Sequence, residues 1–152
     1  MTAAARSSPS VAAQALGYGG LLPFVGLALA VWLLPATQQA WAAFALLAYG
    51  ATILSFLGAI HWGLSMRNFA GPSTGLLVWG VLPSLLAWLA LLLPVAAGLL
   101  LVAAGLVLCF AVDRRVYTPM GLHAWLPMRL LLTLVALLCC VAAAWRCMGA
   151  GA

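Results

Sequence analysis

The 152-residue chain is 68% hydrophobic and 5% charged, with a mean hydropathy of +1.24; that composition excludes a water-soluble domain, which would have to expose large apolar patches. Its formal charge of +5 comes from six arginines against a single acid, Asp113, and the arginines stand singly or as one pair between apolar runs, so the basic stripe needed for nucleic acid is missing. An all-α integral membrane protein remains: a span takes about 20 apolar residues, which leaves room for a bundle of about five.

Residues 1–15, MTAAARSSPSVAAQA, carry one arginine and no acid and read as a cytoplasmic N-terminal tail. A cleaved signal peptide would use Leu16 to Leu34 as its core and Ala40-Trp41-Ala42 as its processing site, but that core exceeds the usual length of about 7 to 15 residues and contains Pro23. A single membrane domain is therefore expected over residues 16–147, with a short tail at 148–152. Its first span runs from about Leu16 to Leu34, closed by Pro35 and an uncharged loop, Ala36-Thr37-Gln38-Gln39. The second runs from about Ala40 to Trp62, and the connection Gly63 to Ser73 holds Arg67, Asn68, Gly71 and Pro72, residues that break helices. The third covers about Thr74 to Leu93. Pro94 leaves almost no connection before the fourth, about Val95 to Val112, so these two form an antiparallel hairpin. The stretch Asp113 to Pro127, with Arg114, Arg115, His123 and two prolines, is too polar to span and is expected at the headgroup level; the fifth span follows, about Met128 to Trp145.

Pro23 and Pro83 should each kink a helix and free a carbonyl one turn earlier, and inside a bilayer that carbonyl needs a polar or backbone partner. Gly20-Leu21-Leu22-Pro23 echoes Gly80-Val81-Leu82-Pro83; repeats build many transporter folds, but in so apolar an alphabet the echo is read as chance. With the N-terminus in the cytoplasm, Arg6, Arg67, Arg114, Arg115 and Arg129 all fall inside and Arg146 outside, as the positive-inside rule requires. Trp32, Trp41 and Trp145 then lie near the outer interface and Tyr18, Trp62, Trp79, Tyr117 and Trp125 near the inner one, the levels these side chains favour.

On the second helix Gly50, Leu54, Gly58, His61 and Ser65 share an arc of about 80° at 3.6 residues per turn. Glycines on that face let a neighbouring backbone approach, which puts Gly50 and Gly58 at helix contacts and His61 at the inner mouth of one. For His61 the simpler reading is a hydrogen bond to a carbonyl or headgroup; the sharper one is a binding site, motivated by His61, His123, Asp113 and Arg129 converging on one side. Asp113 is most simply an ion-pair partner of Arg67, Arg114, Arg115 or Arg129, and a contact with His61 is the alternative. Cys109, Cys139, Cys140 and Cys147 show no CxxC spacing and read as small apolar residues. No metal, cofactor or catalytic group is expected: no thiol or acidic ligand cluster supports the histidines, no span carries a charge at its centre as ion-coupled transporters do, and no serine shows a sign of activation.

The string Tyr49-Gly50-Ala51 through Ser55-Phe56-Leu57-Gly58-Ala59-Ile60-His61-Trp62-Gly63, together with Pro83-Ser84-Leu85-Leu86-Ala87-Trp88, Asp113-Arg114 and WLPMRLLLT over residues 125–133, resembles the domain of unknown function 3429 family, whose mitochondrial relatives go by transmembrane protein 69. The resemblance covers about Leu16 to Ala144 and implies a small multi-span protein of bacterial inner membranes, or of mitochondria in eukaryotes; it implies no activity. The expectation is a non-enzymatic binding or assembly partner in a bacterial inner membrane. Its cytoplasmic-side cluster of His61, Arg67, Asp113, Arg114 and Arg129 would meet an anionic lipid headgroup, a small anion or a membrane protein partner. A passive channel lined by the kinked first and third helices, with hydroxyls from Thr52, Ser55 and Ser84, is the alternative, and a metal or redox protein using His61 and His123 a weaker one.

Overall fold

The computed structural model describes residues 8–66 and 74–149; Arg6 and Arg67 lie outside the described residues. Among the described residues there are six α-helices, α1 (Val11–Gly19), α2 (Leu21–Leu33), α3 (Ala36–Met66), α4 (Thr74–Leu92), α5 (Val95–Tyr117) and α6 (Leu126–Gly149), with a 3-10 turn at His123–Trp125. Taken together α1 and α2 form one span, Val11–Leu33, and five segments are long and apolar enough to cross a membrane.

Local chemistry sets the helix ends. Ser10 caps α1, its hydroxyl accepting from the Ala13 amide at 3.2 Å. The first span is interrupted at Gly20, three residues before Pro23. Pro23 withholds its amide from the Gly19 carbonyl, and at the neighbouring residue Tyr49 of α3 donates its hydroxyl to the Gly20 oxygen at 2.8 Å. Leu34 is extended, as a residue before proline prefers to be, and Pro35 starts the next helix. The expected loop over residues 36–39 is instead the first turn of α3: the Gln38 backbone amide donates to the Pro35 carbonyl at 2.8 Å and the Gln39 side chain to the Leu34 carbonyl at 2.8 Å, so the Gln39 side chain serves the helix end rather than breaking it. At its other end α3 runs past Trp62 to Met66.

α4 continues through Pro83, which is buried, and Pro94 turns the chain straight into α5, where the Gly98 amide donates back to the Pro94 carbonyl at 2.9 Å. The stretch expected at the headgroup level begins later than Asp113. α5 carries on through Tyr117, because Asp113 finds buried partners and so need not leave the helix. The helix is then closed by Gly121 at φ 73° with bonds from Leu122 to Tyr117 and Gly121 to Thr118, a Schellman closure that needs the left-handed glycine. Pro127 causes no break, since the second residue of α6 has no intrahelical donor to lose.

α3 is the central element, packed against α2, α4, α5 and α6. Its approach to α4 is backbone on backbone: a Cβ at Gly58 would collide with the Gly80 carbonyl, and one at Gly80 with the Trp62 indole. Gly50 faces Val102 of α5, where a Cβ would come within 2.9 Å. The core between the helices is apolar, built from side chains such as Phe24, Leu46, Leu47, Leu54, Leu99 and Leu106. All four cysteines are free thiols, with Cys109 and Cys140 buried.

Candidate functional site

Among the described residues, the buried polar side chains are His61, Ser65, Asp113 and Thr133. Three helices bring the first charges together. His61 sits on the glycine face of α3, Asp113 one turn before the end of α5, and Arg129 in the first turn of α6. Arg129 grips one carboxylate oxygen of Asp113, Oδ2, with Nε at 2.8 Å and Nη2 at 2.6 Å. The other oxygen, Oδ1, lies 3.4 Å from His61 Nε2. Exposure differs across the trio: His61 is 0% exposed and Asp113 1%, whereas Arg129 is 11% exposed.

His61 Nδ1 stands 3.2 Å from the Leu57 carbonyl, an acceptor, so that nitrogen donates. Nε2 facing Oδ1 is then attractive only with a proton on one of the two atoms. Trp79 of α4 meets the imidazole edge-on with centroids 6.3 Å apart, and Tyr117 lies tilted over it at 6.3 Å.

Arg129 also lines two adjoining cavities. One, of about 550 Å³, is bounded by α1, α3, α6 and the turn after α5, with Leu16, Phe56, Ile60, Tyr117, Trp125 and Leu132 in its wall. The other, of about 150 Å³, shares Leu16, Gly17, Phe56, Arg129 and Leu132 and adds Thr133 and Ala136. Thr133 is 4% exposed, and its hydroxyl has no hydrogen-bond partner; the same holds for Ser65 Oγ, His61 Nε2 and Trp79 Nε1.

The candidate residues do not all gather. Arg114 and Arg115 are exposed on the far side of the α5 end, His123 is exposed in the 3-10 turn, and Arg67 is not among the described residues. The helix period explains the first two: at 100° per residue Arg114 and Arg115 cannot share the face of Asp113. Tyr117, Thr133 and Trp79 join the site without having been singled out. Tyr117 follows Asp113 by four residues and Thr133 follows Arg129 by four, the spacing that stacks side chains on one helix face, so that signal was available. Thr52 is exposed on the outer surface of α3 and donates to the Tyr49 carbonyl at 2.7 Å. Arg146, at the opposite end of the bundle, lies over the Trp32 ring at 6.0 Å. No group of three or more His, Cys, Asp or Glu residues stands together among the described residues.

Fold and site together define a class, a five-span membrane bundle that is apolar throughout except for a buried charge cluster at one end. Residues 9–145 match the family described as "Protein of unknown function (DUF3429)", and the chain belongs to that family. It is similar to Transmembrane protein 69 of Xenopus tropicalis, with 44% identity over 79 residues, 51% of this chain and 31% of that protein. The chain thus aligns with about a third of that relative's length. No solved structure matches it.

Proposed function

We propose that this protein is a non-enzymatic membrane protein that binds an anionic partner through Arg129. The observation carrying the proposal is the double placement of that residue: Nε and Nη2 are held by Asp113, and Arg129 also lines two cavities. An arginine has five N–H donors, and with two nitrogens fixed, Nη1 is held in place for a second acceptor at little entropic cost. A binding role is preferred to a channel because the buried polar side chains gather around His61 and Arg129, whereas the opposite half of the core is hydrocarbon. The arginine asymmetry, Arg114, Arg115 and Arg129 against Arg146, supports placing the site at the cytoplasmic face of a bacterial inner membrane. Native mass spectrometry of gently solubilised protein tests the binding role: a retained anionic species in the wild type, absent from Arg129→Met, is expected. An identical set of bound species in the two proteins would refute it.

A further inference from the structure

We infer that the anionic partner is a single-chain lipid acid, a long-chain carboxylate whose headgroup is held by Arg129 Nη1 and Thr133 Oγ1 and whose tail fills the groove between α1, α3 and α6. This rests on the binding role of Arg129 and names its ligand class.

Thr133 is the independent observation. A hydroxyl this deeply buried normally satisfies itself, most simply on the carbonyl four residues back, yet Thr133 Oγ1 has no partner and lines the smaller cavity beside Arg129. A donor is therefore left over in a cavity that Arg129 also lines, and Arg129 Nη1 takes no part in the bonds to Asp113. Two donors match the two oxygens of one carboxylate.

The walls select the tail. Around the arginine they are almost wholly hydrocarbon, from Leu16, Phe56, Ile60, Leu64, Met128 and Leu132. The volume of about 550 Å³ falls within the range of about 300–1,000 Å³ typical of sites for one small molecule, which suits one acyl chain better than two. α1 forms one wall yet buries none of its own residues. A chain entering from the bilayer displaces only that short helix, with Gly19 and Gly20 behind it.

The test uses full-length protein stripped of lipid and returned to neutral phosphatidylcholine nanodiscs. Trp125 lines the groove, so a brominated stearate bound there quenches its fluorescence, and Trp125→Phe identifies that component. Unlabelled palmitate should reverse the quench at least tenfold more effectively than hexadecanol, which has the same chain without the charge. Thr133→Val, which keeps the shape and removes the hydroxyl, should weaken stearate about tenfold while the protein stays folded. Equal competition by palmitate and hexadecanol, or no effect of Thr133→Val, overturns the inference. Stronger competition by lysophosphatidate than by palmitate also overturns it but leaves the binding role of Arg129 standing. If Arg129→Met behaves as wild type toward every one of these probes, the binding role falls as well.

Discussion

Removing Arg129 should damage the fold far more than removing both members of its ion pair. Arg129→Met leaves the Asp113 carboxylate, 1% exposed, without its ion-pair partner about 6 Å from the end of α5 at 1.5 Å per residue, on a side chain too short to reach the interface. Stranding a buried charge in this way costs about 3–5 kcal/mol. Asp113→Leu is milder. Arg129 is 11% exposed and sits in the first turn of α6, so its long stem can carry the guanidinium to water, and the loss should be about 1–3 kcal/mol. In the double variant no charge is stranded and only His61 lacks a partner, again about 1–3 kcal/mol. The two single losses therefore sum to more than the double, giving a coupling of at least about 1 kcal/mol and about 4 kcal/mol at the middle of the ranges. That lies above the average of about 0.6 kcal/mol for hydrogen bonds between membrane helices, so the cycle distinguishes an ion pair from an ordinary polar contact. Reversible unfolding in mixed micelles, or steric trapping in bicelles, supplies the four stabilities. Single losses that add to the double within about 0.5 kcal/mol would show that Asp113 and Arg129 do not depend on each other.

Three further outcomes follow from the helix contacts. Gly58→Ala should destabilise by about 1–3 kcal/mol, the cost of overpacking, because the new methyl meets the Gly80 carbonyl rather than a movable side chain; Gly63→Ala, with open space around its Cβ, should be neutral or stabilising by up to about 1 kcal/mol, and thermal melting in detergent separates the two. Tyr49→Phe removes the donor to the Gly20 carbonyl and should cost about 0.5–1.5 kcal/mol, with faster hydrogen exchange at the start of α2 as the local sign. Gly121→Ala places a side chain at φ 73° and should cost about 1 kcal/mol by the strain of the left-handed region, read from the same melts, whereas Gly121→Asn should cost less.

The five spans were legible because hydrophobic runs and prolines mark them directly. The ends were less so, and for a consistent reason. Gln39 looks like a loop residue, yet it serves the first turn of α3; Asp113 looks like an interfacial residue, yet it stays in α5. In each case a polar side chain is read from sequence as facing water, whereas in the fold it bonds to a backbone end or to a buried partner. The glycine face of α3 was visible as a periodicity, and its residues are buried. Which arginine meets Asp113 was not, because Arg67, Arg114, Arg115 and Arg129 are equivalent until the helices pack and the rotation of α5 turns Arg114 and Arg115 away.

The echo between Gly20-Leu21-Leu22-Pro23 and Gly80-Val81-Leu82-Pro83 takes on a physical meaning once α3 is seen at the centre. The proline withholds its amide from the carbonyl four residues back, that of Gly19 in one helix and of Trp79 in the other, so the ladder is weakened beside each glycine. Both glycines turn that stretch toward α3: the Gly20 carbonyl accepts from Tyr49, and the Gly80 carbonyl abuts Gly58. Glycine is what permits the approach and proline what loosens the backbone there. The same pair of residues thus recurs where α2 and α4 come close to α3, and packing accounts for the recurrence without an ancestral duplication.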